Sequence, residues 1–248
     1  MSSPLAKPNK TGLDQALILA HQKLSHSKRT QVLAGEFTRR IRALGLESAK
    51  ILDVGCGDLS LARALSEAIP RITINGIDIH SPPDCLASVD PIWSKYQQFD
   101  GETIPHDPNS FDVILFSDVL HHVPERLRQS LLRSAGQVGR FVLIKDHFEY
   151  GWISRQMLRA MDFVGNYGYG ISVPDRYFDV TAFTDLVTRA DLAIKRLDVG
   201  IRLYDHLPLI PLLFSAEWQF IAICQGHCNE SNDAAFPVLA ADPVSPPS

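Results

Sequence analysis

Basic residues are in short supply: 24 lysines and arginines stand against 28 aspartates and glutamates, a formal charge of −4. That balance supplies no general attraction to phosphate backbones or anionic lipid, so nucleic acid is not an expected partner. The longest basic hint, Lys28 and Arg29 with Arg39, Arg40 and Arg42, reads as the wet face of a helix. Cysteine is scarce too. Cys56, Cys85, Cys224 and Cys228 have neither the paired spacing of a zinc site nor the density of a disulfide-framed secreted domain. Cys224, His227 and Cys228 make an incomplete ligand set, and no metal is expected there. No apolar run reaches membrane-spanning length, and residues 1–10 lack the apolar stretch of a secretory signal, so the expectation is a cytoplasmic protein. Internal repeats are also missing.

What is present is an ordinary globular composition, 45% hydrophobic and 21% charged over 248 residues. A single domain of that length buries about three quarters of the surface its unfolded chain exposes. Residues 1–10 are polar, with two prolines, and are expected to be flexible. From Leu13 to Leu44 apolar residues recur at helical spacing (Leu33, Phe37, Ile41, Leu44), and Gly45 is a natural stop. The period then changes. Short apolar runs at 50–54, 72–79, 96–99, 111–116 and 140–144 alternate with helical segments at 59–68 and 125–135. Such alternation predicts a parallel sheet covered by helices. Helices at 152–163 and 181–190 and strands at 193–199 and 217–224 follow, and residues 227–248 read as a disordered tail.

The strongest local signal is Asp53-Val54-Gly55-Cys56-Gly57-Asp58, a buried strand running into a glycine turn and then a helix. Glycines let backbone pass close beneath a ligand, where a Cβ would collide. Asp78 ends the next strand about 20 residues on, where a carboxylate can accept hydrogen bonds from ribose hydroxyls. Together these point to an adenosine-type ligand. A dinucleotide fingerprint requires Gly or Ala where this chain has Ser60, and Asp53 and Asp58 flank the loop, which disfavours a pyrophosphate.

In these motifs the chain resembles a class I S-adenosylmethionine-dependent methyltransferase of the small-molecule, type 11 subgroup, across roughly residues 30–225. Asp53 to Gly57 stands as that family's first motif, Gly76-Ile77-Asp78 as its second, and Phe99-Asp100-Gly101 where it contacts adenine. The run from Phe111 to Leu115, with Ser117 to His122, matches the fourth strand and its turn. Leu59 departs from a third glycine common in the family.

The resemblance implies a Rossmann-like, doubly wound α/β fold. Its sheet would be seven-stranded and mostly parallel with a final antiparallel strand, preceded by a helical N-terminal extension and carrying an insertion after the fifth strand. It implies one domain over residues 11–226, with 11–45 the helical segment and 151–180 a substrate cover. It also implies S-adenosylmethionine as cofactor, with S-adenosylhomocysteine as product. Asp53, Gly55 and Gly57 would face the methionyl part, Asp78 and Ile79 the ribose, Asp100 and Gly101 the adenine, and Ser117 would border the methionine through its backbone.

Methyl transfer from a sulfonium is a direct displacement, so an enzyme mainly aligns the nucleophile and excludes water. A base is needed only when the nucleophile arrives protonated. Histidine suits that role because its ordinary pKa of about 6.5 lies near working pH. His147, just beyond the expected fifth strand, is the first candidate, and His121 and His122 are the next. Lys145 and Asp146 are expected to pair with one another or to orient substrate. Phe163, Tyr167, Tyr169, Tyr177 and Phe178, with the stretch from Leu203 to Phe214, form an expected apolar wall. Asp162 and Asn166, with Asp146, lack the spacing of metal-dependent O-methyltransferases, and no metal is entered.

The expected activity is O- or C-methylation of a small, fairly apolar acceptor. The alternatives are a non-catalytic scaffold that keeps the cofactor site, and a nicotinamide-dependent oxidoreductase. Acceptor identity, the methylated atom and oligomeric state stay open at this point.

Overall fold

A computed structural model of the chain describes residues 12–81, 91–165, 173–205 and 214–226, with backbone only for 12–26, 91, 164 and 165. The expected flexible N-terminus and tail, Cys85, His227, Cys228, Asn166, Tyr167, Tyr169 and residues 206–213 of the expected wall lie outside them.

Seven strands form one sheet: β1 (Lys50–Val54), β2 (Thr73–Asp78), β3 (Tyr96–Gln98), β4 (Phe111–Ser117), β5 (Gly139–His147), β6 (Leu192–Val199) and β7 (Gln219–Gly226). Their spatial order is β3-β2-β1-β4-β5-β7-β6, with β7 antiparallel to both its neighbours and the other pairings parallel. This is the expected Rossmann-like sheet. The order reverses between β1 and β4, and in open α/β sheets ligands bind beyond the carboxyl ends of the strands at such a switch point.

Strand side chains alternate between two faces, and both faces are covered. Ile51, Val113, Leu115, Phe141 and Leu143 pack with Phe37 and Ile41 of α1 (Gly12–Ala43) and Leu61 and Leu65 of α2 (Ser60–Ala68). Leu52, Ile114, Phe116, Val142 and Ile144 pack on the other face. There they meet Leu131 and Leu132 of α3 (Glu125–Val138) and Phe183 and Val187 of α5 (Val180–Arg189). The remaining helix, α4 (Trp152–Gly165), follows β5 within the expected cover. Among the described residues no helix is long and apolar enough to cross a membrane.

Gly45 does stop α1: at φ +72 it lets Leu46 N–H reach back to the Ile41 carbonyl at 3.1 Å. The cap of α5 is Asp179, whose side chain accepts from the Ala182 amide at 2.7 Å.

Two expectations need correction. The fifth strand does not end at Ile144: pairing with β7 continues through Lys145↔Ile221, Asp146↔Phe220 and His147↔Gln219, so the Lys-Asp-His run is itself strand. A polar run reads as a strand end, and only the partner strand shows that the ladder continues. Arg29 and Arg40 are not on a wet face. The Arg40 guanidinium pairs with Asp198 of β6 at 2.6 Å and with Glu36 at 2.7 Å, and Arg29 pairs with Asp118 beyond β4.

Candidate active site

The glycine loop leaves the carboxyl end of β1 and is pinned to β2, because the Gly55 and Cys56 amides both donate to the Ile77 carbonyl, at 2.8 and 3.2 Å. Gly55 and Gly57 have positive φ, +74 and +52. Their reasons differ. A Cβ on Gly55 would lie 2.5 Å from Val119, so packing against the turn after β4 demands glycine there. At Gly57 the Cβ position meets open space, the room a ligand needs to approach backbone. Leu59 occupies the same left-handed region, φ +61, a conformation that glycine adopts without strain. A left-handed backbone costs such a side chain roughly 1–2 kcal/mol, and here the leucine is buried in the core.

Asp53 is 1% exposed and its Oδ2 has no hydrogen-bond partner. Burial, with Asp78 and Asp58 adding repulsion, pushes its carboxyl up to about 7. The orphaned oxygen is free to accept a hydrogen bond or to face a cation. Asp78 holds the loop through Oδ2, which accepts from the Gly57 amide at 2.9 Å, while Oδ1 accepts from His80 at 3.0 Å. Each carboxylate oxygen has a second lone pair, so ribose hydroxyls can still be served. The Phe99 amide donates to the Asp78 carbonyl at 2.9 Å, and Gly101 sits against exposed Ile79. Asp78, Ile79, Asp100 and Gly101 are thus brought together at one rim. Asp100 Oδ1 accepts from the Glu102 and Thr103 amides, which holds its carboxyl below the ordinary range. Ser117 closes β4 in register with Lys145.

At the carboxyl ends of β4 and β5 lies a second, buried group of charges. Lys145 and His147 share one strand face, with Nζ to Nε2 3.4 Å. Asp118 takes ion pairs from both Lys145 and Arg29, and between those two cations its carboxyl is held far below the usual range despite burial. Its backbone is left-handed, φ +58, and its amide donates to the Lys145 carbonyl at 2.9 Å. Burial and the neighbouring Lys145 lower the His147 pKa, which keeps its imidazole neutral at pH 7. On the other strand face, Asp146 Oδ1 meets His121 Nδ1 at 2.6 Å, with both side chains 0% exposed. His121 Nε2 points to Asp162 of α4 at 3.3 Å, and Tyr177 donates its hydroxyl to the same carboxylate. Burial alone would lower the His121 pKa, but Asp146 and Asp162 raise it to about 10. The His122 ring lies beside it, centroids 4.0 Å apart.

With this geometry in place, the comparisons converge. Residues 52–143 match the type 11 methyltransferase domain family. That match covers rather more than a third of the chain and agrees with the glycine loop and Asp78 lying at its sheet ends. A ubiquinone biosynthesis O-methyltransferase of Pseudomonas fluorescens is 33% identical over 87 residues, 33% of this chain and 37% of that protein. Curated relatives matched over longer stretches, as in Pseudomonas putida, reach 44% of the relative's length, so the chain spans less than half of them. Among solved structures, the mitomycin 7-O-methyltransferase MmcR aligns with 81% of this chain and 54% of its own, with 17% identity and TM-score 0.56. A methyltransferase from Mesorhizobium loti aligns with 72% of this chain and 91% of its own, with 14% identity and TM-score 0.52. These two likenesses bear on the fold.

The sheet gathers the residues expected around the adenosine ligand at the ends of β1, β2, β3 and β4, and all three histidines near the ends of β4 and β5. Arg29, expected on a wet helix face, instead pairs with Asp118, and its spacing carries the signal. It lies four residues before Leu33, in line with Phe37 and Ile41, and so continues the buried stripe of α1. Tyr204, which hydrogen-bonds Arg29, and the pairing of Asp162 with His121 had no local signal.

Proposed function

We propose that the protein transfers a methyl group from S-adenosylmethionine to an oxygen or carbon of a small, fairly apolar acceptor. The observation that carries this reading is the pairing of two unlike sites across the β1–β4 switch point. One is a glycine cradle holding the unpartnered carboxylate oxygen of Asp53, and the other is a dry cluster of His147, Lys145 and Asp118. The resident group would supply an activated methyl on a sulfonium. Asp53 would face the cationic methionyl part, Asp78 and Ile79 the ribose, Asp100 and Gly101 the adenine, and Ser117 would flank the methionine by its backbone. The O-methyltransferase names of the curated relatives support oxygen as the first acceptor atom to try.

The chain's own work is alignment and proton handling. His147 is neutral, so its imidazole can take a proton from a hydroxyl acceptor. Lys145 beside Nε2 disfavours the imidazolium, so the proton acquired must pass on to solvent, because Asp118, paired with two cations, stays ionised. Residues 151–180 would serve as the acceptor's cover, tied to the sheet through Glu149, which accepts from Arg155 at 2.7 and 2.9 Å and from the Tyr177 amide at 3.0 Å.

The test is calorimetric titration with S-adenosylmethionine, S-adenosylhomocysteine and NAD in parallel. Binding of the two sulfur ligands and not NAD, weakened by roughly 1–3 kcal/mol in Asp78→Ala, is the expected result. NAD binding alone would favour an oxidoreductase. Sulfur-ligand binding with no labelled methyl transferred to any hydroxylated acceptor would favour a scaffold.

A further inference from the structure

We propose that His121, His122 and Asp162 form a binding site for one divalent transition-metal ion, zinc or a neighbour in the first row. Ligating atoms of the three side chains all lie within 4.8 Å of one another. Donors each about 2.1 Å from an ion sit roughly 3–3.5 Å apart, and the 3.3 Å between His121 Nε2 and Asp162 Oδ2 already matches. His122 is half-buried with its ring beside that of His121, centroids 4.0 Å apart.

The second observation is the state of His121 itself. Its side chain is wholly buried, its Nδ1 is committed to Asp146 at 2.6 Å, and its Nε2 has no hydrogen-bond partner of good geometry. A metal-binding histidine has this form: one ring nitrogen donates to a carboxylate, which fixes the tautomer and aims the other nitrogen's lone pair at the ion. Asp162 has matching support in the Tyr177 hydroxyl. Two imidazoles and one carboxylate favour a transition ion over magnesium or calcium, which prefer oxygen ligands. Charge points the same way. Asp118, another carboxylate near these strand ends, is taken up by Lys145 and Arg29, whereas among the described residues the side-chain partners of Asp146 and Asp162 are His121, His147 and the Tyr177 hydroxyl. Without the ion, a proton on Nε2 bridges to Asp162, and the ion takes that proton's place.

Three protein ligands leave positions open for water or an acceptor oxygen, and a bound hydroxyl is a stronger acid. That catalytic consequence rests on the methyl-transfer reading, whereas the metal site itself does not. The experiment therefore omits the methyl donor. The metal-stripped full chain is titrated with zinc chloride by calorimetry, with stoichiometry checked by elemental analysis after dialysis. The visible spectrum of the cobalt form reports nitrogen and oxygen ligation. One equivalent bound per chain, weakened at least tenfold by both Asp162→Asn and His122→Ala and unchanged by Cys228→Ser, is the expected result. Melting curves establish that the variants fold. No zinc retained, or zinc retained equally by both variants, or zinc lost on Cys228→Ser, would overturn the proposal. None of these outcomes alters the S-adenosylmethionine titration, so the two readings fail separately.

Discussion

Asp53 and His147 carry the chemistry most open to test at single positions. The Asp53 carboxyl sits at about 7 in the free protein because burial, then Asp78 and Asp58, disfavour its anion. A cationic ligand reverses that balance, so binding favours the ionised form and releases a proton below that value. Affinity for S-adenosylmethionine should therefore rise as pH climbs from about 6 to 8, and flatten in Asp53→Asn. Parallel slopes in the two proteins would remove Asp53 from the ligand. The same shift has a folding consequence of opposite sense. A carboxyl raised in the folded state binds more protons there than in the unfolded chain, so its contribution to stability falls as pH rises from about 4 through 7. His147→Ala should lower turnover by about a hundredfold with cofactor affinity unchanged, if the acceptor arrives protonated. Both residues were picked out by motif and position. The neutrality of His147 was not, because it depends on the burial and on Lys145, two residues away on the same strand face.

Between elements, the decisive contact is α1 to β5 through the turn after β4. Lys145 is 0% exposed: burial lowers its pKa, and Asp118, which also holds Arg29, opposes that shift. Removing that carboxylate leaves a buried ammonium unpaired. Asp118→Ala should cost about 3–5 kcal/mol in unfolding free energy, read by denaturant melts, and adding Lys145→Met should restore much of it. A double variant as unstable as the single one would show that Asp118 acts through its left-handed turn instead. The boundaries of all five helices were legible to within a few residues, because each shows a 3.6-residue apolar stripe ended by Gly, Pro or a cap. The end of β5 was not. Lys145, Asp146 and His147 look like a loop until Phe220 and Gln219 of β7 are seen pairing with the last two.

Over the whole molecule, ligand and fold should be linked by mass action. S-adenosylhomocysteine at 100 times its dissociation constant should add about 2.7 kcal/mol to stability, seen as a rise in melting temperature that Asp78→Ala shrinks. An unchanged melting temperature at saturating ligand would mean that the loop and sheet do not form the site in the native state. The class of fold, the first two motifs and the adenosine-type ligand are legible along the chain, because strand period, glycine turns and carboxylate spacing are local properties. How the polar residues divide is a matter of packing. Lys145 and His147 fall on one face of β5 with Arg29 and Asp118, and Asp146 on the other with His121 and Asp162. Those partners lie between 25 and 89 residues apart where the contacts are hydrogen bonds. No local period encodes such pairs; burial and the register of β5 against β4 and β7 select them.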